Sequence, residues 1–175
     1  MYYLRAAFLA PGIALHEFAH HLFCILSGVK VRQAVYFRLG TPAGFVIHEE
    51  PELYRQIFAI VAGPLVVNSA AALLAFNLAL RQAARAADPL GWAVALTLLG
   101  LGLSAAPQAF PSRTDGSNLV HSSNRHLLKG NLVALLGYPA ALHIALVHLL
   151  RPLGSEWLYS LGLFYLALQG FIAVS

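Results

Sequence analysis

One stretch of this chain makes two demands that only a few folds can meet together. Residues 11–27 are apolar on both sides of His16-Glu17-Phe18-Ala19-His20. On a helix, His16 and His20 are i and i+4. They share one face, with Cβ atoms about 5–6 Å apart. Two imidazoles so placed can chelate one tetrahedral zinc ion, and Glu17 then stands beside it, able to take a proton from the water it activates. Titratable groups in an apolar helix are costly unless paired or metal-bound. The bland alternatives are a chance match to H-E-x-x-H and a His/Glu cluster that is only hydrogen-bonded inside a helix bundle.

The apolar setting extends to most of the chain. Hydrophobic residues make up 59% of the 175 and charged residues 10%, with mean hydropathy +0.69. A soluble domain is nearer about 25% charged. The expectation is an all-α integral membrane protein, multi-pass, with about five transmembrane helices and a small β-hairpin after the first. Residues 1–175 read as a single domain, with a core at 2–118 and additional transmembrane helices within 131–174. The net charge of +4 is not a nucleic-acid signal, because the Lys and Arg residues lie between apolar runs with no interleaved aromatic patch. The single Cys24 cannot form an internal disulfide and reads as a packing residue. The apolar stretch after Arg5 is not a signal peptide, since it runs directly into the histidine motif.

Taken in order, residues 2–28 form the first span, with a kink or restart at Pro11-Gly12 and Gly28 as its stop. Residues 29–50 are β-branched and partly alternating. Val29–Leu39 and Phe45–His48, around the turn cluster Gly40-Thr41-Pro42-Ala43-Gly44, predict a hairpin at the membrane surface. Residues 53–80 form a second span, interrupted by Ala62-Gly63-Pro64 and carrying Asn68 and Asn77. An Asn at membrane depth usually hydrogen-bonds across helices; contact with substrate is the alternative for Asn68. Residues 90–110 form a third span that ends in prolines, and a polar loop follows. Residues 131–150 and 153–174 form two more, joined at Arg151-Pro152 and expected to be antiparallel neighbours.

With five spans, segments 29–52 and 111–130 share one side. That side, with Arg55, carries Lys30, Arg32, Arg38, Arg113, Arg125 and Lys129. The other carries Arg5, Arg81, Arg85 and Arg151. Seven against four predicts the first side as cytoplasmic. The active site is then expected toward the cytoplasm, with Glu156 on the opposite side. A catalytic zinc needs a third protein ligand and an open position. Asp115 leads on type and place. His121 and His126 follow, and Glu49, Glu50 and Glu52 cluster in the hairpin segment.

Three stretches resemble the site-2 proteases, which are intramembrane zinc metalloproteases. Ala14-Leu15-His16-Glu17-Phe18-Ala19-His20, continued by Ser27-Gly28-Val29-Lys30-Val31, is similar to that family's zinc helix. Ala62-Gly63-Pro64-Leu65 is similar to its second-helix Gly-Pro element. Phe110-Pro111-Ser112-Arg113-Thr114-Asp115-Gly116 is similar to the Asp-Gly ending of its third helix. The resemblance covers residues 11–118. It implies His16, His20 and Asp115 as zinc ligands and Glu17 as catalytic base. It also implies a membrane-protein substrate, expected to have a single span. A peptide bond inside a helix is shielded by its own hydrogen bonds, so that span is expected to unwind near the site, where the 29–48 hairpin offers an edge. No soluble domain is recognised beside the spans. Substrate selection is therefore expected in the membrane part or in a regulatory membrane partner, with the lipid bilayer as the surroundings. The rival reading is a non-proteolytic membrane metal-binding, transport or scaffold protein, with His143 and His148 as further histidines.

Overall fold

The computed structural model describes residues 2–173, and the side chains from residue 6 onward. It is mostly helical. Helix α1 (Tyr2–Leu26) leads into a hairpin of β1 (Val31–Val35) and β2 (Phe45–His48), followed by α2 (Tyr54–Arg85), α3 (Pro89–Ala105), α4 (Arg113–Leu128), α5 (Gly137–Leu149) and α6 (Ser155–Ile172). The two strands pair antiparallel, with Val35 opposite Phe45 and Val31 opposite His48. Helix α1 runs unbroken through Pro11, so the expected restart there does not occur. It stops at Gly28, whose φ of 71° is a conformation that glycine adopts without strain.

Four segments are long and apolar enough to cross a membrane: Ala6–Leu26, Tyr54–Arg85, Pro89–Leu128 and Leu132–Leu149. Large apolar side chains such as Leu74, Leu96, Leu142 and Leu161 point outward, each more than 60% exposed. A surface of that kind is suited to lipid.

Helices α1, α2 and α3 pack through close backbone approaches. A Cβ at Gly12 would stand 2.0 Å from the Ser104 carbonyl oxygen, and one at Gly63 would meet the Phe23 ring at 2.7 Å. Small residues let membrane-type helices approach this closely. The Gly12 N–H donates to Ser104 Oγ at 2.9 Å, and Asn68 Nδ2 donates to the carbonyls of Gly12 (3.0 Å) and Ala105 (3.3 Å).

The second half of the chain departs from expectation in three ways. The stretch 111–130, predicted as a polar loop, is largely helix α4. Ser112 caps it: its Oγ accepts from the Asp115 N–H at 3.1 Å, and Asp115 Oδ2 accepts from the Ser112 N–H at 2.7 Å. Its buried face supplies Leu119 to a core with Tyr54, Ile57, Val61, Ala134 and Ile144. The alternation of that face was concealed by the polar residues opposite it.

The last two helices are not antiparallel neighbours. Helix α5 packs on α4, whereas α6 packs on α2. Gly137, at the start of α5, lies against Tyr54. Tyr159 of α6 meets Ser69 and Phe164 meets Phe76, so α5 and α6 follow α2 in the same direction, one after the other. The turn Arg151–Leu153 with Gly154 (φ 83°) joins them without reversing the chain.

The third departure follows from the second. Helices α3 and α4 are separated by the 3-10 turn Ala106–Gln108 and by Pro111. His148 Nε2, near the end of α5, donates to the Pro111 carbonyl at 3.0 Å. The two interruptions therefore lie side by side. Arg151 and Glu156, expected on the side opposite Asp115, line the same cavity as Asp115.

Candidate metal centre

The two helix interruptions, α1 and the tip of the hairpin enclose a cavity of about 440 Å³. His16, Glu17 and His20 face it from α1, and Asp115 faces it from the first turn of α4. One ligand atom from each of His16, His20 and Asp115 lies within 4.8 Å of the others. The Nε2 atoms of the histidines are 3.1 Å apart, and His20 Nε2 is 3.4 Å from Asp115 Oδ2.

The protonation pattern can be worked out from the partners. His16 Nδ1 is 2.7 Å from the Gln108 carbonyl and His20 Nδ1 is 2.9 Å from the Ile60 carbonyl. A carbonyl oxygen only accepts, so each Nδ1 carries the proton. In the neutral ring each Nε2 then presents a lone pair. Two such lone pairs and a carboxylate oxygen converge on one point, and all three are acceptors. A single proton on one Nε2 would serve part of this group. A cation serves all of it. Tetrahedral zinc at about 2.0–2.1 Å from two imidazole nitrogens needs them about 3.3–3.4 Å apart, close to the separation found. The donor set fits a borderline metal with nitrogen and oxygen ligands.

The ligands are themselves held. Backbone carbonyls orient both imidazoles, and the Ser112 N–H orients the carboxylate. Such outer partners fix ring tautomer and ligand direction. His16 is 8% and His20 6% exposed, so the group is shut off from bulk water on the helix side. Glu17 is only half-buried and lines the cavity. Its carboxylate makes no hydrogen bond among the described residues.

The other third-ligand candidates lie elsewhere. His126 is buried against Ser122 and turns its Nε2 to the Glu52 carbonyl oxygen at 3.1 Å, away from the cavity. His121 is exposed. Glu49 pairs with Arg32, and Glu50 pairs with Arg125. Asn68 is fully buried at the crossing of α1, α2 and α3 and is not among the cavity-lining residues.

Several lining residues were not assigned to the site from the sequence. His48, Gln108, His148, Arg151 and Glu156 all face the cavity. The proximity of the α5–α6 junction to Pro111 could not be read from span order. The hint available was the set His148, Arg151, Ser155 and Glu156 standing between two apolar runs. Strand β2, not β1, borders the cavity, through Phe45, Val46 and His48. Compared with protein-family models, curated proteins and solved structures, the chain has no match.

Proposed function

We propose that this chain is an intramembrane metalloprotease, most simply a zinc enzyme, that hydrolyses peptide bonds in or near the membrane-spanning segment of a protein substrate. The observation that carries the reading is the meeting of Asp115 with His16 and His20 in a cavity that Glu17 also lines. The H-E-x-x-H motif by itself supplies two ligands and a base. The third ligand comes from a distant helix end, which a chance motif would not bring. The resemblance of residues 11–118 to site-2 proteases points the same way, and four apolar helices of membrane-crossing length supply the setting.

A divalent ion held by His16, His20 and Asp115 would supply Lewis acidity, activating a water and polarising the scissile carbonyl. The chain's own part is as follows. Glu17 accepts the proton of the attacking water and delivers it to the leaving amine. Its carboxylate has no hydrogen-bond partner among the described residues, which leaves it free to do both. The outer edge of β2, bordering the cavity, can pair with an extended substrate strand. That pairing replaces the helix hydrogen bonds lost when a substrate span unwinds. The apolar wall of Ile57, Ile60 and Val61 keeps the reacting group out of bulk water.

The test is metal content and cleavage of a panel of single-span membrane peptides by the wild type and by Glu17→Gln. The expected result is one zinc per chain in both and cleavage by the wild type alone. Cleavage by Glu17→Gln at the wild-type rate would overturn the role of Glu17. Loss of zinc from the wild type at micromolar metal would overturn the metal centre.

A further inference from the structure

The cavity has a second charged wall that the reaction above does not use. Arg151 stands in the turn between α5 and α6, and it is the only Lys or Arg lining the cavity among the described residues. Its Nε lies 2.6 Å from Glu156 Oε1. Glu156 is in the first turn of α6 and is 6% exposed, whereas the Arg151 side chain is 47% exposed. The buried carboxylate thus grips the guanidinium by one edge. Glu156 is the one ion-pair or hydrogen-bond partner of Arg151 among the described residues.

An ion pair with one buried partner is a poor way to gain stability, since an apolar contact of similar volume often does as well. Helix α6 is already fastened to α2 by the Tyr159–Ser69 hydrogen bond and the Phe164–Phe76 contact. What the pair does achieve is orientation. It fixes a planar fork of donors at the cavity wall, and such a fork matches a carboxylate bidentately. The charges of the lining agree. Glu17, Asp115 and Glu156 set against Arg151 leave a formal −2, which a divalent ion brings to zero. A further carboxylate therefore enters a cavity of no net charge, where the half-exposed Arg151 guanidinium is the one Lys or Arg cation of the lining among the described residues.

The two walls are tied together by the fold and line one cavity. His148, three residues before Arg151, bonds to the Pro111 carbonyl, and Asp115 follows Pro111 by four residues. An extended peptide advances about 3.3 Å per residue. We infer that Arg151 is a substrate-recognition residue, selecting peptides with a carboxylate side chain within a few residues of the scissile bond. Because Arg151 shares its cavity with the metal group, the anion it holds belongs to the peptide and not to a lipid headgroup. The inference rests on the protease reading, and the experiment separates the two.

Single-span peptides carrying one Glu, or Gln in its place, at successive positions around the cleavage site are compared on the wild type, Arg151→Gln and Arg151→Lys. At one position the Glu peptide is expected to have a KM lower by about 10- to 100-fold, the range of a hydrogen bond to a charged group. The ratio falls toward one in Arg151→Gln and part-way in Arg151→Lys, which keeps the charge and loses the fork. Arg151→Lys carries the test alone if the glutamine variant does not fold. Binding of the same peptides to Glu17→Gln protein, with and without the Arg151 changes, reads the preference without turnover. An Arg151-dependent preference in binding with no cleavage by the wild type would leave this inference standing and sink the protease reading. Equal Glu and Gln peptides at every position would overturn the inference. So would a preference that survives Arg151→Gln, or one replaced by Arg151-dependent competition from phosphatidylglycerol vesicles.

Discussion

Gly44 at the hairpin tip lies against Glu17 of α1, so closely that a Cβ at position 44 would stand 2.6 Å from Glu17 Cγ. The same added atom would meet the Tyr36 carbonyl oxygen at 2.9 Å. The hairpin and the proposed base therefore fit together only through a residue without a side chain. Gly44→Val is expected to displace the Glu17 carboxylate by about 1 Å. A misplacement of that size costs on the order of 100-fold in rate. Zinc stoichiometry should stay at the wild-type value, because the atoms nearest the added Cβ belong to Glu17, Tyr36 and Val35 and not to His16, His20 or Asp115. Rate and metal content measured on one preparation check this; a full wild-type rate would show that the contact does not set the position of Glu17.

The Ser112 cap tests whether Asp115 is held as a ligand. Ser112 Oγ accepts from the Asp115 N–H, and Asp115 Oδ2 accepts from the Ser112 N–H. Ser112→Ala removes the first bond and loosens the first turn of α4. Zinc affinity is expected to fall by about 10-fold, at the low end for loss of an outer partner of a metal ligand. Asp115→Ala should abolish stoichiometric binding. Competition against a chromogenic chelator measures both, and equal affinity in all three proteins would remove Asp115 from the ligand set.

Asn68 separates a structural role from a substrate contact. Its Nδ2 donates to two carbonyls on two other helices, and the side chain is fully buried. Asn68→Ala should lower stability by about 1–3 kcal/mol, through two lost hydrogen bonds between helices and a small cavity. At a temperature where the variant remains folded, KM should not change. Thermal unfolding in detergent together with KM decides the matter. An altered KM with unchanged unfolding would return Asn68 to the substrate site.

The metal should also stabilise the fold. Its ligands come from α1 and α4, so binding ties the first span to the α4–α5 pair. Ligand linkage predicts about 2.7 kcal/mol at a free zinc concentration 100 times Kd. The unfolding temperature should rise with zinc in the wild type and stay flat in His16→Ala. A rise of equal size in His16→Ala would place the stabilising zinc elsewhere.

Strand β2 borders the cavity, and neighbouring residues in a strand point their N–H groups in opposite directions. Proline placed at Val46 and at Ile47, one at a time, therefore removes one outward donor and one donor to β1. The outward one is expected to slow cleavage while zinc remains bound. If neither slows cleavage, the substrate does not add to this edge.

The sequence alone carried the local chemistry. The i, i+4 histidines, the base between them, the apolar runs and the turn residues of the hairpin act over a few positions, where helix and strand periodicity decide which groups are neighbours. Asp115 stood out from its type and its place at a span end, although local chemistry gave no reason to prefer its carboxylate to His126 until the fold turned one toward the cavity and the other toward Glu52. What only the tertiary structure decided was the course of the second half. A polar stripe hid α4 as a loop. The short Arg151–Leu153 turn reads as a reversal, whereas packing of α5 on α4 and of α6 on α2 carries the chain onward through it. Span counting assumes that each apolar run crosses fully and turns back. Here two runs are broken beside each other, and the backbone groups freed at those breaks find partners in one another and in the histidines. Gln108 and Pro111 offer their carbonyls to His16 and His148, while Arg151 and Glu156 are carried to the cavity by contacts that no stretch of sequence contains.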